Sequence, residues 1–208
     1  MIINTSASQH LSLWQSLGQY SCQMGEWSLI QDIIHIIFII CRYCNNRVVI
    51  FDKFGNHLRD IRGEWNVVHS IVLDEEEDML CVADREGKKV ECFNAGLRSP
   101  RFLGRSMNII PNLGRVYAIA GREGRLVAVN GKEFLKSAQV RLYVDLFVHI
   151  SDYFQGVTID IDNNNQIVDT WGDTLDNPHD IALDRAGGAV YVAEIGPNRI
   201  RKFVKSGF

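Results

Sequence analysis

The 208-residue sequence contains no apolar run long enough to cross a bilayer as a helix. Its greasiest stretch, Leu29 to Cys41, is interrupted by Gln31, Asp32 and His35 and falls well short of the roughly 20 apolar residues a spanning helix needs. It is expected as buried core, and no membrane segment is expected in the chain. Charge of one sign is also missing: 22 Lys plus Arg against 25 Asp plus Glu leaves −3. No broad basic field therefore draws the protein onto nucleic acid or an anionic membrane. The first twenty residues lack a basic start, a continuous apolar run and a small-residue cleavage site, so no signal peptide is expected. No window sustains helical periodicity with caps. What is present, 46% hydrophobic and 23% charged residues, is the balance of a soluble globular chain and excludes disorder, collagen and a disulfide mini-scaffold.

The apolar runs are short, rich in Val, Ile and Phe, and punctuated by Gly, Asn and Asp: Val48 to Phe51, Ser70 to Leu73, Leu80 to Ala83, Val116 to Ala120, Leu126 to Val129, Val157 to Ile161, Ile181 to Leu183, Val190 to Ala193 and Ile200 to Phe203. This is an all-β pattern. Shifted by 110 positions, His69 to Phe93 lies on His179 to Phe203 without a gap, pairing His69 with His179, Ile71 with Ile181, Leu73 with Leu183, Asp74 with Asp184, Val82 with Val192, Ala83 with Ala193 and Phe93 with Phe203. A third copy ends earlier, where Asn46-Arg47-Val48 and Phe51 match Asn198-Arg199-Ile200 and Phe203. A unit of about 42 residues built of strands and turns is the signature of a β-propeller blade, and one blade cannot bury both its faces. Four blades are expected, the first poorly formed; a β-sandwich with chance similarity is the alternative.

Equivalent positions in successive blades are related by rotation about one axis, so the repeat register predicts a site. His69 and His179 share a position at the start of the innermost strand, and Tyr43 and Arg85 share another. Two converging imidazoles are candidate zinc ligands, a third ligand and a water completing a catalytic tetrahedron. Alternatively, each caps a strand and hydrogen-bonds a neighbouring loop. A phenol beside a guanidinium or a metal is a usable base, and an arginine grips carboxylates bidentately. Otherwise Tyr43 is a packed ring and Arg85 a surface group paired with Asp84 or Glu86. Of the five cysteines, Cys81 and Cys92 are expected at the third strand and at the end of the fourth strand of one blade, at a spacing an antiparallel pair can bridge. No second paired-cysteine motif completes a structural zinc site with Cys41 and Cys44. Disulfides, and hence an oxidising compartment, are the preferred reading.

Four motifs, His69-Ser70 followed by Cys81-Val82-Ala83-Asp84-Arg85-Glu86 and Cys92-Phe93, Tyr43-Cys44-Asn45-Asn46-Arg47, and Pro178-His179-Asp180-Ile181, resemble the peptidyl-α-hydroxyglycine α-amidating lyases. This family is the second catalytic unit of peptidylglycine α-amidating monooxygenase, a six-bladed propeller of the NHL-repeat type. The match runs from about Cys22 to Phe203, so residues 1–21 are expected as an atypical segment and 22–208 as a partial propeller of about four of the six blades. The resemblance implies that His69 and His179 are two of three zinc-binding histidines, that Tyr43 is the catalytic tyrosine and Arg85 an active-site arginine. It also implies that Asp180 is the side-chain ligand of a structural calcium, and that Cys22 pairs with Cys44 and Cys81 with Cys92, leaving Cys41 free. The implied reaction cleaves a peptidyl-α-hydroxyglycine to a peptide amide and glyoxylate in the secretory pathway, with a monooxygenase domain or protein acting upstream.

Departures from the family pattern bear on activity. Nothing in Met1 to Tyr20 resembles the blades that supply the third zinc histidine and a further arginine, Asn177 and Val68 replace the usual Met and Pro beside the histidines, and Lys132 to Gln155 is longer than expected. An incomplete unit with impaired activity is therefore expected. Two other functions compete. A non-catalytic NHL propeller binding a protein or RNA would want clustered cations and exposed aromatics; Lys88, Lys89, Arg98, Arg101, Arg105, Arg115, Arg122 and Arg125 are scattered and read better as a solvated face. A calcium-dependent lactonase-like enzyme would need several inward carboxylates, and only Asp180 lies in register.

Overall fold

The computed structural model describes residues 27–31, 36–41, 46–52, 56–131, 154–161, 164–184, 186 and 188–204, with the backbone alone at 27–31, 36–41, 52, 154–155 and 173–174. Tyr43, Cys22 and Cys44 lie outside the described residues, as does residues 1–21 as a segment. The described strands form four antiparallel sheets that follow one another along the chain. The first contains β1 (Trp27–Gln31), β2 (Ile36–Cys41), β3 (Arg47–Asp52) and β4 (His57–Arg62). The second contains β5 (Val68–Asp74), β6 (Met79–Asp84), β7 (Lys89–Asn94) and β8 (Ser106–Ile110). The third contains β9 (Arg115–Arg122), β10 (Arg125–Gly131), β11 (Phe154–Asp160) and β12 (Gln166–Leu175), and the fourth β13 (Pro178–Leu183), β14 (Ala189–Glu194) and β15 (Arg199–Val204). Each sheet runs in sequence order from its first strand outward, and β1, β5, β9 and β13 lie side by side as neighbours in that order. This is the blade arrangement of an NHL-type β-propeller, with four blades among the described residues, as the repeat predicts.

The repeat is visible in the backbone as well as in the side chains. Asn46, Lys88 and Asn198, one position of the repeat, all adopt the left-handed conformation, with φ of 41°, 57° and 52°, immediately before the third strand. Asparagine tolerates that region better than most residues, which accounts for two of the three. Core residues sit between sheets. Val48, Ile50 and Ile61 pack on Leu80, Val82 and Phe93; Cys81, Ala83 and Val90 pack on Ile119, Leu126 and Val157; Ala118, Val127 and Val129 pack on Ile181 and Val192. Both faces of the inner sheets are thus covered, and β6 is buried at all six positions.

The strands β1 and β2 pair antiparallel, and the burial expected of Leu29 to Cys41 lies outside the described residues. One expectation needs correction. Cys81 and Cys92 stand directly opposite each other on the second and third strands of their sheet, not the third and fourth, with Cα atoms 4.0 Å apart and a disulfide between them. Ahead of β5, the amides of Asn66 and Val67 donate to the Asp84 carboxylate at 3.0 and 2.9 Å.

Candidate functional site

The innermost strands of three sheets share one irregularity. In β5 the pairing with β6 passes from Val68 opposite Asp84 to Ser70 opposite Ala83, so His69 is an extra residue. In β13 it passes from Pro178 opposite Glu194 to Asp180 opposite Ala193, so His179 is extra. In β9 it passes from Val116 opposite Asn130 to Ala118 opposite Val129, and the extra residue is Tyr117. A bulge re-aims the side chain it inserts. Here three bulges aim three rings at one place: the centroids of His69 and His179 are 5.2 Å apart, those of His69 and Tyr117 5.3 Å, and those of Tyr117 and His179 6.1 Å.

His69 is buried and its Nδ1–H donates to the carbonyl of Tyr117. That bond fixes the tautomer, so the lone pair lies on Nε2. The hydrogen bond weighed for His69 is thus made to strand β9 rather than to a loop, and it occupies the Nδ1 edge of the ring. Two imidazole nitrogens on a single zinc stand about 3.4 Å apart, a separation that rings with centroids 5.2 Å apart accommodate. Neutral imidazole pairs suit that borderline cation. Among the described residues no group of three His, Cys, Asp or Glu stands together. Asp180 follows His179 in the chain but is exposed, and its Oδ1 accepts the Ile181 amide at 2.9 Å.

Arg85 lies in the turn after β6 with its guanidinium carbon 5.5 Å from the centroid of the Tyr117 ring. Its Nε donates to Glu86 at 2.9 Å, and the other oxygen of Glu86 pairs with Arg115 at 3.0 Å. The surface pairing weighed for Arg85 is thus present with Glu86, while Asp84 is engaged elsewhere. Its Oδ1 accepts the amides of Asn66, Val67 and Gly87, which clamps the turn that carries Arg85. A Cβ on Gly87 would meet Asp84 Oδ2 at 1.9 Å, so close approach demands glycine there.

The structure brings together His69, His179 and Arg85 and adds Tyr117, which the repeat alignment passed over. The signal was available: Val68-His69-Ser70-Ile71, Val116-Tyr117-Ala118-Ile119 and Pro178-His179-Asp180-Ile181 share an apolar residue, a ring, a small or acidic residue and an isoleucine. Of the cations in the middle of the chain, Lys89 pairs with Glu91, Arg115 with Glu86 and Arg122 with Glu76 and Glu123, while Arg98 donates to the Glu76 carbonyl. No helix among the described residues is long and apolar enough to cross a membrane.

Comparison with known proteins supplies the relatives. No protein-family model matches the chain. A peptidyl-alpha-hydroxyglycine alpha-amidating lyase 2 of Drosophila melanogaster is 35% identical over 178 residues, covering 80% of this chain and 39% of that protein. A probable peptidyl-alpha-hydroxyglycine alpha-amidating lyase of Caenorhabditis elegans is 32% identical over 175 residues, 79% of this chain and 45% of that one. The peptidylglycine alpha-amidating monooxygenase of Rattus norvegicus is 28% identical over 181 residues, 80% of this chain and 17% of its own length. Among solved structures, a chain of the nidogen/laminin complex superposes with a TM-score of 0.49 at 13% identity, over 69% of this chain and 46% of that one. The chain spans less than half the length of these curated relatives. Over about four-fifths of its own length, this chain is a relative of the peptidyl-α-hydroxyglycine α-amidating lyases.

Proposed function

We propose that the chain carries the metal-binding and carboxylate-gripping part of a lyase that cleaves peptidyl-α-hydroxyglycine to a peptide amide and glyoxylate. The observation that supports this most is the convergence of His69 and His179, 110 residues apart, at 5.2 Å, with Arg85 over the Tyr117 ring that neighbours both. In the reaction the α-hydroxyl loses its proton, its oxygen forms the aldehyde of glyoxylate, the C–N bond breaks, and the amide nitrogen takes a proton. His69 and His179 would hold zinc, which supplies Lewis-acid polarisation of the substrate's oxygens. Arg85 binds the substrate carboxylate, a planar bidentate task for a guanidinium. Tyr43 is proposed as the base that takes the hydroxyl proton. Asp180, a hard carboxylate, is proposed as a ligand of a structural calcium.

The Cys81–Cys92 disulfide supports an oxidising compartment, for which the secretory pathway is proposed. A reaction that hydroxylates the α-carbon of a C-terminal glycine must supply the substrate, so a monooxygenase domain or protein is proposed upstream. The test uses the purified full chain, its zinc content, and glyoxylate release from an N-acyl-α-hydroxyglycine. Zinc binding that is lost in His69→Ala and His179→Ala, with slow glyoxylate release abolished in both, is the expected result. Release that is unaffected in both variants overturns the assignment. One tightly bound zinc with full activity overturns the expectation of impairment.

A further inference from the structure

We infer that Tyr117 is the residue that positions Arg85, its ring acting as a seat for the guanidinium between the histidine pair and the Glu86–Arg115 ion pair. This rests on the lyase reading for what Arg85 grips, though not for the seating itself. Three observations carry it. Tyr117 occupies the bulge position that in the two neighbouring sheets holds His69 and His179, so the fold directs its side chain to the same point. Its ring stands edge-on to His69 at an interplanar angle of 75°, which fixes the ring plane, and Arg85 lies over its face at 5.5 Å. Glu86 holds the Nε of Arg85 at 2.9 Å and is itself tied to Arg115. A long side chain that must present a flat fork to a carboxylate gains most from two fixed neighbours, one aromatic and one acidic.

The backbone and the side chain of Tyr117 have separate tasks, and this makes the inference testable. The carbonyl accepts the His69 Nδ1–H and survives any substitution; the ring serves Arg85 and does not survive loss of aromaticity. Two variants follow, Tyr117→Leu and Tyr117→Phe, both compatible with a half-buried strand position.

The first readout is the NMR shift of the Arg85 side-chain protons in the full chain, which an aromatic face moves upfield. It needs no substrate. Tyr117→Leu is expected to abolish the upfield shift and Tyr117→Phe to restore it. The second is zinc affinity, expected to stay within about threefold in Tyr117→Leu because the carbonyl remains. The third is glyoxylate release, where KM is expected to rise about 5- to 30-fold in Tyr117→Leu, the value of a cation–π contact of about 1 to 2 kcal/mol, with kcat changed less, and to be rescued in Tyr117→Phe. Arg85 protons unmoved in Tyr117→Leu, or zinc affinity falling as far as in His179→Ala, overturn the inference. A wild-type chain that releases no glyoxylate overturns the lyase reading and leaves the first readout to decide the seat.

Discussion

Replacing Asp84 removes one oxygen from three amides at once. Oδ1 accepts from Asn66 at 3.0 Å, Val67 at 2.9 Å and Gly87 at 3.0 Å, and the residue as a whole is 1% exposed. In Asp84→Ala each orphaned donor costs about 1 to 3 kcal/mol where water cannot reach it. Val67 is buried, whereas Gly87 lies in a partly exposed turn where water can substitute, so the sum is about 3 to 5 kcal/mol. With a urea dependence of about 2 kcal/mol/M, the unfolding midpoint falls by about 2 M. Asp84→Asn keeps an oxygen for the three amides but sets an amide nitrogen where Oδ2, buried and without a hydrogen-bond partner, now stands. Its cost is expected at about 1 to 2 kcal/mol. Urea unfolding followed by tryptophan fluorescence measures both, with the slope checked for a shared two-state transition. An alanine variant within about 1 kcal/mol of wild type, or an asparagine variant as unstable as alanine, refutes the clamp. The same experiment bears on the site, since the clamped turn carries Arg85.

Three further outcomes are expected. Reducing Cys81–Cys92, or replacing both with Ala, costs at most about 3 kcal/mol by loop-closure entropy for a separation of 11 residues, and thermal unfolding with and without reductant reads it. Burial opposes ionisation of Glu194, but hydrogen bonds from Arg199 and the Asp176 amide, with the charges of Arg199 and Arg201, outweigh it and hold the carboxyl below the ordinary glutamate range. A depressed native value means that its stabilisation is present above the unfolded value and is lost as pH falls through the folded one, so Glu194→Gln should lower Tm near pH 7 and flatten its decline in acid. Leu80→Ala, at a fully buried position between the first two sheets, should cost about 2 to 5 kcal/mol in urea unfolding.

How much was legible beforehand follows from which forces leave a trace in a linear pattern. The inner strands were visible because both their faces are covered, which writes continuous Val and Ile runs such as Val48–Phe51 and Leu80–Ala83. The fourth strands, β4, β8 and β12, were not read: β8 is largely exposed, and β12 exposes Ile167 and Val168 by half, so their sequences carry no clean alternation. His69 and His179 were found because identical residues fell in one register. Tyr117 was missed because its blade begins only 48 positions after His69 and bears a phenol where the others bear imidazole, so identity alone does not align it. The disulfide was anticipated with its partners right and its strands displaced by one: β5 is the first strand of that sheet, so Cys81 on β6 and Cys92 on β7 fall on the second and third.

The bulges under His69, Tyr117 and His179 constrain how such a site can arise at all. Along an unbroken strand the side chains alternate between two sheet faces, and both faces here are taken up by the neighbouring sheets. A substitution in a regular repeat would therefore bury a new imidazole between blades, where it could meet nothing on the axis. Only an inserted residue produces a side chain outside that alternation. Once a bulge is in place, substitution at that one position decides which group faces the others, as imidazole, phenol and imidazole do here, whereas no substitution along an unbulged strand can do so.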